Sequence, residues 1–183
     1  MNKSIETLKA VKIVLLSLLL VFIAAGCERE GNAAENNKND WGTKKDVKHA
    51  RQLWDQIKDY KEWKIPDQFP GWAEGVSPHG EILRYYINQK ANEDLTQDGA
   101  VIVKENYSEK SPDALMSVTV MQKREGYDPE TNNWFYVKYS PDGKVMDDED
   151  GKPVAGLVGK GKESGCIPCH KTAGGNDYLF MND

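Results

Sequence analysis

The sequence predicts an α+β fold, mainly β, with an antiparallel sheet of about four or five strands and helices packed against it. Two patterns carry this reading. Short runs rich in β-branched and aromatic residues follow one another, separated by turn signals at intervals of roughly 15–20 residues. A single amphipathic stretch precedes them, and no internal repeat is visible.

Taken in order, residues 1–27 read as an export leader. Lys3, Lys9 and Lys12 flank the uncharged run Ile13 to Gly26, which is shorter than the ~20 residues needed to span a bilayer. Ile23-Ala24-Ala25-Gly26-Cys27 leads small residues into a cysteine and resembles the lipobox of bacterial lipoproteins, although the usual large residue three before the cysteine is Ala24 here. On this reading Cys27 carries a lipid, and the rest of the chain is exported and tethered to a bacterial membrane, facing the periplasm or the extracellular side. The alternative is an ordinary cleavage site beside an unmodified cysteine. Residues 28–45 are polar and charged, as in a flexible tether, and residues 46–183 form the folded domain.

Within that domain, Val47, Ala50, Leu53, Trp54, Ile57 and Tyr60 recur at three- and four-residue steps. They predict a helix over 46–61, entered through Thr43 or Asp46 as cap. Two prolines make residues 65–72 a loop. Strands are expected at Ile82–Asn88 after the turn Ser77-Pro78-His79-Gly80, at Ala100–Tyr107, at Leu115–Lys123 and at Trp134–Tyr139. Asp128-Pro129 and Pro141-Asp142-Gly143 bracket the last of these. Residues 146–153 are acidic and read as an exposed loop, and residues 176–180 are expected to pack back over the segment before them.

The net charge is −5, which argues against nucleic acid as a partner. With Cys27 assigned to the leader, Cys166 and Cys169 remain, and His170 follows directly. Cys166-Ile167-Pro168-Cys169-His170 is the C-x-x-C-H pattern of covalent haem c attachment. Two thiols at this spacing add across the two vinyl groups on one porphyrin edge, while the adjacent imidazole reaches under the ring to bind iron. A redox C-x-x-C or half of a zinc site is the competing reading, but zinc needs more ligands and only His49 and His79 remain as imidazoles. The motif occurs once, so one haem is expected, with Cys166 and Cys169 as its anchors and His170 as the proximal iron ligand. Met121 falls inside a strand pattern and Met181 at the tail. Both read as packing residues, which leaves the sixth iron position open. His79 reads as a turn residue.

Four blocks then add up to a family. Pro78-His79-Gly80 with Leu83-Arg84-Tyr85-Tyr86 is the first, and Gly99 to Tyr107 the second. Val118 to Met121, Gly126 to Glu130 and Trp134 to Tyr139 make the third, and Cys166 to His170 with Asn176-Asp177-Tyr178 closes the order. Over about residues 60–180 the chain resembles the cytochrome P-460 family. The resemblance implies a mainly β domain, usually a homodimer, holding a five-coordinate haem c that oxidises hydroxylamine and passes electrons to a cytochrome c. It also implies a lysine joined covalently to a porphyrin meso carbon, a distal glutamate that handles protons and an arginine close to the haem. Residue by residue, these fall on Lys104, Glu130 and Arg84, with Lys138 as the fallback for the lysine. Lys104 shares a strand face with Ala100 and Ile102 if alternation holds, so it projects from an apolar wall. Two other readings stand beside the enzyme. One is a protein that binds nitric oxide or another gas, like the β-type cytochromes c-prime, and the other is a membrane-tethered electron carrier.

Overall fold

A computed structural model describes residues 39–182. The expected leader, Cys27 and most of the tether lie outside the described residues. The fold is α+β and mainly β, as the sequence predicts. A six-stranded antiparallel meander runs in the order β1 (Ala73–Glu74), β2 (Ile82–Ile87), β3 (Val101–Tyr107), β4 (Leu115–Lys123), β5 (Trp134–Tyr139) and β6 (Ala155–Gly156). The four long strands are those that the β-branched and aromatic runs between turn signals predict. The two extra ones are edge strands of two residues each, too short to leave a periodic pattern in sequence.

Helix α1 (Lys44–Ile57) precedes the sheet, α2 (Gln89–Glu93) follows β2, and α3 (Cys166–His170) comes last. Thr43 is the N-cap of α1. Its hydroxyl accepts from the Asp46 N–H, and the Asp46 carboxylate accepts from the Thr43 N–H in return, both at 3.2 Å. The helix stops at Ile57, short of the predicted end, and a separate 3₁₀ turn at Tyr60–Glu62 aims the Tyr60 hydroxyl at Glu105. Asn88, expected as the last residue of a strand, instead caps α2 by accepting from the Ala91 N–H at 2.9 Å.

Strand alternation divides the core between two faces. On one, Ala50, Leu53 and Ile57 of α1 cover Tyr86, Val101, Val103, Val118, Val120, Phe135, Val137 and Tyr139. The Tyr139 hydroxyl donates to the Ala50 carbonyl at 2.6 Å and pins helix to sheet. On the other, Ile87, Ala100, Ile102, Met121, Trp134 and Tyr136 pack against Leu157, Val158, Ile167, Tyr178, Leu179 and Met181. Both methionines are packed here, as expected. Segment 146–153 turns back on itself through a bridge between Asp147 and Pro153, with Glu149 and Asp150 exposed at its tip. No helix among the described residues is long and apolar enough to cross a membrane.

Candidate haem-binding site

Short helix α3 carries the C-x-x-C-H motif. Gly165, its N-cap, has φ +124, and a Cβ there would lie 2.7 Å from the Gly159 Cα, so only glycine lets the two backbones cross. The Ile167 N–H donates to the Val158 carbonyl at 3.0 Å and ties α3 to the chain leaving β6. Cys166 and Cys169 are both free, the first half-buried and the second exposed. Burial, with Cys169 adding to it, pushes the Cys166 thiol up to about 12.

His170 is buried, and its Nδ1 lies 2.9 Å from the Tyr178 carbonyl. A carbonyl only accepts, so Nδ1 carries the proton and Nε2 keeps its lone pair, the tautomer a metal ligand needs. Burial and the charge of Lys104 hold the ring neutral, with its pKa lowered to about 4. The carbonyl is held in place from both sides. The Trp134 indole N–H donates to the Asp177 carbonyl at 2.8 Å, and the Tyr178 hydroxyl donates to the Glu130 carbonyl at 3.3 Å. Thus the 176–180 segment does pack back over the motif, as the sequence suggests.

Lys104 comes up from β3 on the same sheet face. In register across β2 to β5, Tyr85, Lys104, Thr119 and Lys138 form one cross-strand row. The Lys104 ammonium lies 5.2 Å from the Tyr85 ring centroid and has no ion-pair partner among the described residues. Burial lowers its pKa to about 8, while the nearby Cys169 and Cys166 thiols pull weakly the other way. In the next row Tyr136 packs 5.3 Å from the His170 ring, and its hydroxyl is buried without a hydrogen-bond partner. A buried orphan hydroxyl and a half-buried unpaired amine are costly in a finished core. Beside two thiols and an imidazole with a bare Nε2, they fit a haem c held by Cys166, Cys169 and His170. Among the described residues, no group of three or more His, Cys, Asp or Glu side chains could hold a metal ion by itself, so the zinc reading gains nothing.

Glu130 and Arg84 are not brought to this cluster. The Glu130 side chain is 67% exposed and its carboxylate lies 2.9 Å from the Lys160 ammonium. Lys160 is itself buried and anchored on both oxygens of Asp128, at 2.7 and 2.8 Å. The main chain of Glu130 touches the site, its carbonyl accepting from the Tyr178 hydroxyl. Arg84 lies on the other sheet face, its guanidinium 5.1 Å from the Trp72 ring and 5.6 Å from the Tyr86 ring. Alternation decides this, since Tyr85 shares the Lys104 row and Arg84 therefore points away. In their place stands a residue that the sequence reading assigned to a turn. His79 has its ring centroid 6.4 Å from that of His170. Nothing local marks it, because the contact spans the loop before β2 and the C-terminal helix.

Among curated proteins nothing matches the chain. A family model, Cytochrome P460, matches residues 57–181, a span holding β1 to β6, Lys104 and the whole C-x-x-C-H helix. The chain therefore belongs to the cytochrome P460 family and is a haem protein of that type.

Proposed function

We propose that the protein is an exported, lipid-anchored haem oxidoreductase that oxidises hydroxylamine, or a related small nitrogen compound, and hands the electrons to a cytochrome c. The observation that carries this reading is Lys104. It is a half-buried amine without a counter-ion, with a pKa near 8, on the sheet face that also carries Cys166, Cys169 and His170. An amine that loses its proton this readily is a competent nucleophile. Joining it to a porphyrin meso carbon would form a C–N bond and break one N–H and one C–H. The two electrons and two protons released would need an oxidant, which a peroxide would supply while being reduced to water.

Cys166 and Cys169 would hold one haem through thioethers, and His170 would bind its iron through Nε2. Bound there, the haem would supply a redox centre and an iron position for the substrate nitrogen. The Tyr178 carbonyl fixes the His170 tautomer, and Tyr136 packs against the imidazole. A homodimer, a lipid on Cys27 and an acidic surface that steers a basic cytochrome c belong to the same proposal.

Mass spectrometry of tryptic haem peptide from the mature holoprotein tests it. The expected species joins the Cys166–His170 segment and the Lys104 segment through one porphyrin, and Lys104→Ala should keep the haem while losing hydroxylamine oxidation. Unmodified Lys104 in holoprotein overturns the cross-link, and Lys138 is then the next residue to examine. One observation favours a nitric oxide-binding protein instead. The Glu130 carboxylate is exposed, and apolar Leu157 and Val158 sit in the cluster that packs on α3. Tight nitric oxide binding without hydroxylamine turnover in the wild type would select that reading.

A further inference from the structure

The outward side of α1 is basic, although the chain as a whole has 24 Lys and Arg against 29 Asp and Glu. The exposed charged side chains of this helix are Lys44, Lys45, Lys48 and Arg51, with Asp55 as the one carboxylate. At about 3.6 residues per turn, Lys44, Lys48 and Arg51 fall on one line along the helix. That line runs opposite Ala50, Leu53 and Ile57, which are buried on the sheet.

Nothing within the chain calls for these cations. None of the four has an ion-pair partner among the described residues. Lys44 and Lys45 also stand in the first turn, where the positive end of the backbone dipole disfavours a cation. Asp46, whose charge suits that turn, faces inward. One of its oxygens accepts from the Thr43 N–H and the other from the Tyr127 hydroxyl, both at 3.2 Å. The fold thus gives up a little helix stability to show positive charge outward.

The place of this charge along the chain says what it meets. A groove on the same side is lined by Gly42, Lys44, Val47, Lys48, Arg51 and Pro153. The Gly42 N–H donates to the Ala155 carbonyl at 2.7 Å, which fastens the approach to α1 against β6. The N-terminal segment therefore arrives at the basic end of the helix. Thr43 follows Cys27 by 16 residues, which reach at most about 55 Å when fully extended. A lipid on Cys27 would hold the start of α1 within that distance of a bilayer.

We propose that Lys44, Lys45, Lys48 and Arg51 dock α1 on the anionic phospholipid surface of the membrane that holds the chain. The choice of that membrane rests on the lipid anchor of the proposed function, whereas the affinity for anionic lipid does not. The attraction is between ammonium or guanidinium groups and lipid phosphates, and no bond is made or broken. α1 covers one sheet face, and the C-x-x-C-H helix packs on the other. Docking through α1 therefore turns the haem-binding face away from the bilayer, toward a soluble electron acceptor.

Sedimentation of the haem-loaded chain with vesicles tests this, with Cys27→Ser so that no acyl chain contributes. The protein should bind vesicles of phosphatidylglycerol and phosphatidylethanolamine but not vesicles of phosphatidylcholine. Binding should weaken as potassium chloride is raised. Each Lys or Arg near an anionic surface contributes about fivefold, so Lys44→Gln, Lys48→Gln and Arg51→Gln together should weaken it about a hundredfold. That variant loses a first-turn cation and should be no less stable to urea than its parent. Lys162→Gln with Lys171→Gln, exposed beside the haem motif, should leave binding unchanged. Equal binding to both kinds of vesicle, no loss in the triple variant, or loss in the Lys162 and Lys171 variant overturns the proposal. Displacement by inorganic phosphate beyond that by potassium chloride at equal ionic strength also overturns it, in favour of a site for free phosphate. The mass of Cys27 in protein extracted from its own membrane reads the anchor separately. An unmodified Cys27 removes the anchor, and the vesicle result alone then decides the α1 surface.

Discussion

The two faces of the central sheet deal with buried polar groups in opposite ways, and adjacent residues of β3 show it. Glu105 points toward α1 and is fully buried. Its carboxylate accepts from the Tyr60, Tyr86 and Tyr107 hydroxyls at 2.7, 3.2 and 2.6 Å, and the Lys61 ammonium lies 3.3 Å away. Burial alone would raise its pKa, but the Tyr107 and Tyr60 hydroxyls and Lys61 outweigh it and hold it below the ordinary value. Lys104 points to the other face, where no carboxylate meets it and the Tyr136 hydroxyl close by is unpaired. One face is complete within the chain. The other spends stability on groups that only a bound molecule can satisfy, which is the usual mark of a working site.

Three changes probe that contrast. The largest effect is expected on the complete face. Glu105→Ala strands three buried hydroxyls and should cost about 3–5 kcal/mol, read as a lower urea midpoint at unchanged slope. A loss below about 1 kcal/mol would mean that the tyrosines find water or new partners, and that the two faces differ less than their geometry implies.

The incomplete face should show itself through pH. In the haem-free chain (Cys166→Ala, Cys169→Ala), Lys104 has a pKa lowered from 10.5 to about 8. Between those values the unfolded chain binds the proton and the folded chain does not, so stability rises with pH from about 8. Above about 10 the buried tyrosines reverse the trend, because Tyr60 and Tyr107 are raised above their ordinary 10.0 and stay protonated only when folded. The gain in the window should be about 2 kcal/mol and should vanish in Lys104→Met. An identical pH profile in the variant would show that Lys104 is solvated.

The smallest effect is away from both faces. Thr43→Ala removes one half of the capping box and should cost about 1 kcal/mol, measured by denaturant unfolding, without changing haem attachment.

Sequence patterns located much of this. β-Branched and aromatic runs between turn signals marked the four long strands, and the three- and four-residue steps marked α1. The Cys166-Ile167-Pro168-Cys169-His170 spacing pointed to the candidate anchors, because thioether attachment would constrain residues that are neighbours along the chain. Those patterns had no purchase on Arg84 or Glu130. A motif position gives no side-chain direction, and a single step of strand parity sends Arg84 to the α1 face while an ion pair holds Glu130 at the surface. The edge strands β1 and β6 escaped notice for a related reason, as two residues cannot display a period.

The sequence by itself determined the class of the fold, the C-x-x-C-H motif and the face of β3 on which Lys104 lies. All of these follow from local periodicity or from the spacing of reactive groups. Only the tertiary structure decided that Glu105 would be satisfied three times over while Lys104 would not be satisfied at all. It also decided that His79, separated from His170 by most of the domain, would have its ring centroid 6.4 Å from that of His170. Those outcomes depend on which distant strands pair and in what register, and a strand's own residues do not record its partners.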